Sequence, residues 1–321
     1  MKMVIKMNNE TSKKPLIITF ISILIVLGIG ISIALYMKDR NYKKTYDYQL
    51  KKNGYNEQEI MEIKKLKEEE INIILNHPYD KNMINLIQKP YFLEKNIDKY
   101  LTYLQNNSDK DLDNIIAIIN VHADKLWYTD ILNSDLNQND TLLTNKFYKL
   151  ENNYEPDDLK DISNIYSYGE NQKLRNEAFN AFIEMFNDAK KENITLIINS
   201  SYRSYQEQDE IYNKYVTRYG KEDADIKAAK PGHSEHQTGL AADIQTYNTT
   251  KDNFENTEAF AWLQNNAYKY GYILRYPKDK EYLTGYSYEP WHYRYVGLEC
   301  AKYIHDNNIT FDEYYAYFLE K

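Results

Sequence analysis

Two short stretches decide how this chain is read: Ser234-Glu235-His236-Gln237-Thr238-Gly239-Leu240-Ala241-Ala242-Asp243, and further on Glu289-Pro290-Trp291-His292. In the first, an imidazole and a carboxylate stand seven positions apart with Gly239 between them. Glycine permits a tight turn, and Ala241 and Ala242 leave room for close packing. A strand starting at Leu240 points Ala241 and Asp243 to one face, so the chain can fold back and bring His236 against Asp243. In the second stretch, Pro290 disfavours a regular helix or a central strand and predicts a bend. The bend lets Glu289 and His292 approach one centre despite their opposite parity in an ideal strand, with Trp291 packed behind. The spacing of His236 and Asp243 alone is a weak sign of a metal site, and a solvated turn residue is the plain reading of Glu289. Taken together, two imidazoles, one carboxylate and a further carboxylate nearby match a catalytic zinc site. Such a site has three protein ligands, one position left for water, and a general base.

The 321 residues allow one or two domains beyond any anchor. With 42% hydrophobic and 27% charged residues, a packed core is feasible and global disorder is disfavoured. A net charge of -8 argues against a nucleic-acid partner. The 33 tyrosines could form a face that stacks on sugar rings. They are spread along the whole chain, which favours a general compositional bias. A single cysteine, Cys300, excludes an intramolecular disulfide and a Cys-rich structural zinc site, and its helical context makes it a small core residue.

No charged residue lies between Pro15 and Met37. As a helix this run spans roughly 34 Å at about 1.5 Å per residue, enough to cross a bilayer. The run is long for a cleaved signal peptide, so an uncleaved signal-anchor is preferred. Lysines stand on both sides of it (Lys2, Lys6, Lys13 and Lys14 before; Lys38, Lys43 and Lys44 after), so the flanks do not set the orientation. The expected organisation is a cytoplasmic segment 1–14, a transmembrane helix 15–37, a helical stalk or packing region 38–140 and a catalytic domain 141–321.

In the helical region, Asn56 caps a helix Glu57–Lys67 with Ile60, Ile63 and Leu66 at helical spacing. A second helix, Lys67–Asn76, is stopped by His77-Pro78. Helical stretches follow around Asp80–Gln88 and Asn96–Gln105. The Ile-rich run Asp113–Val121 reads as a strand or connector, and Asn133–Asp140 as a loop. Beyond it, helices are expected over Arg175–Lys190, Gln206–Tyr219, Thr257–Tyr270 (ended by Gly271) and Leu298–Asn307. Strands are expected over Leu196–Ser200, Leu240–Ile244, Tyr272–Tyr276 and Trp291–Val296. The fold class is therefore α+β: a small antiparallel sheet with flanking helices carries the zinc site, after a helical region and an N-terminal transmembrane helix. His77, His122 and His305 lie outside any carboxylate-rich motif and receive no function. His233 stands close to the site as either a supporting or a loop residue.

At these residues the chain resembles the VanY-type zinc D,D-carboxypeptidases, which trim peptidoglycan stem peptides. The family pattern S-x-H-x-x-G-x-A-x-D is met by Ser234, His236, Gly239, Ala241 and Asp243. E-x-W-H is met by Glu289, Trp291 and His292. The upstream pattern is met by Ser200-Ser201-Tyr202-Arg203-Ser204, with Gln208 at the expected offset. The resemblance covers roughly Leu142 to Tyr303. It implies that His236, Asp243 and His292 bind zinc, and that Glu289 takes a proton from the attacking water and passes one to the leaving amine. It further implies that Arg203 stabilises the oxyanion, and that Gln208 and Ser234 hold the substrate's terminal carboxylate or backbone. Arg294 is as readily a structural ion-pair partner. The implied reaction is one-step hydrolysis of the terminal D-Ala-D-Ala bond, outside the cytoplasmic membrane. The alternatives are an L,D-carboxypeptidase acting on tetrapeptide stems and a non-catalytic wall-binding module on the same fold. Survival of the base and all three ligands weighs against the second.

Overall fold

The charge-free run between Pro15 and Met37 lies within a 30-residue helix, α1 (Lys13–Tyr42). Its Ile18–Tyr42 portion is not buried by the rest of the protein and is long and apolar enough to cross a membrane. The computed structural model describes residues 13–247 and 249–320, so residues 1–12 of the expected cytoplasmic segment lie outside the described residues. The chain packs as two compact units, Met1–Glu94 and Lys95–Lys321.

After α1, the first unit holds four short helices: α2 (Tyr46–Asn53), α3 (Glu57–Ile63), α4 (Glu68–Asn76) and α5 (Met83–Ile87). Asn56 caps α3 as expected, in a reciprocal box with Glu59 that satisfies two free backbone donors. The extended backbone of His77 ends α4 before Pro78. Leu50, Ile60, Ile63, Ile71, Ile74 and Met83 are buried in this unit.

The second unit begins with α6 (Ile97–Asn106) and α7 (Leu112–Asn120). Helix α7 corrects the expectation of a strand or connector at 113–121. Asp111 caps it by accepting from the Asn114 amide, and residues Ile115 to Asn120 are all buried. Leu112, Ile115, Ile116 and Ile119 stand at helical spacing, with Asp113 and Asn114 exposed, but the β-branched isoleucine run also fits a short buried strand. Between 132 and 149, β1 (Leu132–Asn133) pairs in parallel with β2 (Tyr148–Lys149). The expected loop 133–140 contains a 3-10 turn, Leu136–Thr141. The hairpin β3 (Leu159–Asp161) and β4 (Lys173–Arg175) leads into α8 (Asn176–Lys191).

The central sheet is built from β5 (Ile197–Ser200), β6 (Ala241–Gln245), β7 (Tyr272–Leu274) and β8 (His292–Tyr295). Its order is β5-β6-β8-β7, antiparallel throughout. Helices α9 (Tyr205–Tyr219), α10 (Lys221–Lys227), α11 (Glu258–Asn266), α12 (Glu281–Thr284) and α13 (Leu298–Asn307) lie between or after the strands. The chain closes with α14 (Phe311–Phe318), which was not foreseen although Thr310 and Glu313 form a capping box at its start.

The sheet's two faces differ because side chains alternate along a strand. Leu240, Ala242 and Ile244 of the β6 segment and Tyr293 of β8 enter one core with Phe182, Met185 and Phe186 of α8 and Trp262 and Leu263 of α11. Asp243 and His292, of opposite parity to those residues, are cross-strand partners on the other face. Cys300 is a buried member of a second cluster with Val296, Ile304 and Phe311, matching its expected core role. The observed architecture is α+β, as the alternation of elements predicted.

Candidate active site

Strand pairing brings two of the sequence-predicted site residues together, with Ser200 beside them. Register places Ser200 of β5, Asp243 of β6 and His292 of β8 side by side. His236 arrives from the 3-10 turn Glu235–Thr238, which ends at Gly239 with φ 68°. A Cβ at Gly239 would also approach Leu159 Cδ2 to 2.9 Å and Arg175 Cγ to 3.0 Å. Glycine is thus required there both for conformation and for space. The bend expected at Pro290 is a turn closed by the His292 amide donating to the Glu289 carbonyl at 3.1 Å.

His236 Nε2 and His292 Nδ1 stand 3.4 and 3.2 Å from the same oxygen, Asp243 Oδ1. One donor atom from each of these three buried residues lies within 4.8 Å of the others. Around a tetrahedral zinc with bonds of about 2.0–2.1 Å, ligand atoms lie roughly 3.3 Å apart. Asp243 Oδ1 is buried and has no hydrogen-bond donor among the described residues. Its twin Oδ2 instead receives the Lys251 ammonium at 2.6 Å. His236 Nδ1 lies 2.7 Å from the Ser201 carbonyl, so it carries the proton and leaves Nε2 with a free lone pair. The donor set therefore fits a zinc ion on spacing, tautomer and an otherwise orphaned oxygen.

The charges around the two imidazoles differ. Burial, reinforced by the Arg203 guanidinium, pushes His236 down to about 4. Burial also disfavours charge on His292, but Asp243, Glu235 and Glu289 outweigh it and raise this ring to about 9. A position that holds a proton this firmly also attracts a metal cation, which would take the proton's place. Glu289 Oε2 lies 3.5 Å from His292 Nδ1, and its side chain is 20% exposed toward the cavity. Burial is the main cause that raises the Glu289 carboxyl to about 6.

The rest of the predicted set lines the same cavity, of about 610 Å3. Arg203 donates to Ser200 Oγ at 3.1 Å and to Gln208 Oε1. Gln208 in turn donates to the Ala229 carbonyl at 2.7 Å, so it orients the guanidinium and keeps one N–H in reserve. Ser234 is buried at the cavity wall. His233 does not join the site: its Nδ1 is 2.7 Å from the Asn145 carbonyl and its ring packs against Tyr128. Arg294 is structural, bound to Glu235 and to the Asp140 and Leu142 carbonyls.

Two residues were missed. Lys251 holds the second oxygen of Asp243, but it comes from the segment after β6, where sequence carries no pairing signal. Glu235 sits fully buried between Arg275 Nε at 2.7 Å and Arg294 Nη1 at 3.1 Å. Its other oxygen, Oε2, is 3.5 Å from His292 Nε2, and neither atom has a better partner among the described residues. Its position beside His236 in the motif was the available signal.

Residues 171–298 match the family model described as VanY, D-alanyl-D-alanine carboxypeptidase. YodJ of Bacillus subtilis (strain 168) is 48% identical over 187 residues, covering 56% of this chain and 67% of that protein. The chain belongs to the VanY carboxypeptidase family. A D-alanyl-D-alanine carboxypeptidase of Enterococcus faecium is 37% identical over 192 residues, 57% of this chain and 60% of that protein. Among solved structures, that of the LdcB LD-carboxypeptidase is 43% identical with a TM-score of 0.55, covering 60% of this chain and 92% of that one. Membership in the VanY family makes the protein a carboxypeptidase of peptidoglycan peptides.

Proposed function

We propose that the chain is a zinc-dependent D,D-carboxypeptidase that hydrolyses the terminal D-Ala-D-Ala bond of peptidoglycan stem peptides. The observation that carries the zinc chemistry is the convergence of His236 Nε2, His292 Nδ1 and the unpartnered Asp243 Oδ1, with Glu289 beside them in one cavity. His236, Asp243 and His292 would hold the zinc, which when bound supplies a Lewis acid for the scissile carbonyl and lowers the pKa of water. Glu289 removes a proton from the attacking water and delivers one to the departing amine, a transfer suited to a carboxyl raised toward neutrality. Arg203 donates to the oxygen on which charge develops, and its fork is held ready by Ser200 and Gln208. Ser234 and the spare Gln208 N–H bind the terminal carboxylate or backbone. The leaving group is D-alanine, and no covalent intermediate is required. Helix α1 anchors the protein in the cell membrane, with the catalytic unit outside, where stem peptides are found.

The D,D reading is supported by the family description and by the E. faecium relative. The likeness to the LdcB LD-carboxypeptidase favours a second reading, in which the substrate is a tetrapeptide stem. The two separate when the full-length chain, in detergent with zinc, is given pentapeptide and tetrapeptide stems and D-alanine release is measured. Release from the pentapeptide alone is the expected result. Release from the tetrapeptide alone replaces the D,D reading with the L,D one, and release from neither overturns both.

A further inference from the structure

The cavity does not end at the candidate metal ligands. Gln208, Ile211, Tyr215 and Tyr219, spaced along one face of α9, form one wall, and Lys227 lines the cavity beside Tyr219. Gln208, bound to Arg203, marks the catalytic end. At the other end Tyr219 is 41% exposed, with its ring centroid 5.6 Å from that of Tyr215. Helix rise separates Gln208 from Tyr219 by about 16 Å, at about 1.5 Å per residue. An extended peptide covers that distance in about four to five residues, at about 3.3–3.6 Å each.

An enzyme that removes one C-terminal residue needs room for only that residue beyond the scissile bond. A groove this long must therefore receive the acyl side of the substrate. A pentapeptide stem has four residues on that side, so its N-terminus, where the glycan is attached, would reach Tyr219.

We propose that Tyr219, backed by Tyr215, is a carbohydrate subsite on which the sugar carrying the stem peptide stacks, so that the preferred substrate is the glycosylated stem. A pyranose ring offers a flat face of C–H groups to an aromatic ring, and tyrosine adds a polar edge. The Arg218 guanidinium and Lys227 ammonium lie 5.1 and 5.9 Å from the Tyr219 centroid and bring donors for sugar hydroxyls. This inference rests on the peptidase reading above, which fixes the catalytic end of the groove.

The test compares kcat and KM of the full-length chain on one stem peptide in two forms, free and attached to its disaccharide. The glycosylated form is expected to have the lower KM, by about tenfold, the scale of one aromatic contact, with kcat little changed. Tyr219→Ala is expected to bring the ratio of the two KM values to about one. Equal KM values in the wild type, or a ratio that survives Tyr219→Ala, would overturn the subsite. A merely structural role for Tyr219 would move both substrates together and leave the ratio intact. Loss of turnover on both forms in the wild type would count against the peptidase reading instead. In that event, calorimetric binding of the glycosylated stem to Glu289→Gln and to Glu289→Gln/Tyr219→Ala still decides: equal affinities reject the subsite.

Discussion

At the residue scale, the site depends on which nitrogen each imidazole offers. His236 is committed by its Nδ1 contact to the Ser201 carbonyl, whereas His292 turns Nδ1 inward and Nε2 toward Glu235. Glu235 is itself held by two arginines, so it can fix that ring's orientation. Glu235→Gln is expected to weaken zinc binding about 10- to 100-fold, measured by competition with a chelator. Arg275 retains Asp312 at 2.6 Å in this variant, so one of the two buried guanidiniums stays paired. Zinc affinity equal to wild type would remove Glu235 from the site. Glu289 behaves differently, because it faces the cavity without serving as one of the three donors. Glu289→Gln is expected to retain zinc while kcat falls about 10²- to 10⁴-fold, the usual contribution of acid–base catalysis. An active Glu289→Gln enzyme would show that another group moves the proton. His236→Ala, in contrast, is expected to lose the metal itself, and full occupancy by elemental analysis would sink its assignment as a ligand.

At the scale of elements, the turn through Gly239 joins His236 to β6. Gly239→Ala would place a methyl group against Leu159 and Arg175 in a left-handed conformation. The expected cost is about 1–3 kcal/mol of stability, seen as a lowered denaturation midpoint with an unchanged slope. This turn was legible in the sequence because glycine between a polar run and an apolar alternation has few other uses. The alternation of Leu240, Ala242 and Ile244 with Ala241 and Asp243 likewise revealed which side of β6 carries chemistry. Glu289 and His292 were legible as neighbours through Pro290. Where the reading failed, the cause was an ambiguous β-branched run or distance along the chain. In helix α7 the stripe Leu112, Ile115, Ile116 and Ile119 is present, but its β-branched isoleucines fit a short buried strand equally well. Lys251 meets Asp243 only through the path of the chain after β6. The pairing of Glu235 with Arg275 and Arg294 joins positions far apart in sequence, and no local period encodes it.

At the scale of the whole second unit, its C-terminal end is tied back to residues near its start. Glu320 lies 2.8 Å from both His122 Nε2 and the Tyr148 hydroxyl, and 3.5 Å from the Lys95 ammonium. Burial alone would raise this carboxyl. The hydrogen bonds from His122 and Tyr148 outweigh it and bring the group from 4.5 down to about 2. A carboxyl depressed by folding adds stability as the pH rises from its folded to its unfolded value, because in that window the unfolded chain binds more protons. That contribution is complete above about pH 4.5 and is lost as the pH falls through about 2. It amounts to at most about 3 kcal/mol for a shift of this size. Thermal unfolding of the full-length chain and of Glu320→Gln, followed across this range, should show wild type the more stable near neutrality. The difference should shrink steadily between pH 4.5 and 2. A difference independent of pH would mean that Glu320 contributes through packing rather than charge. The C-terminal segment would then be held by the α14 side chains Phe311 and Tyr315, which are buried with Phe147 and Tyr148.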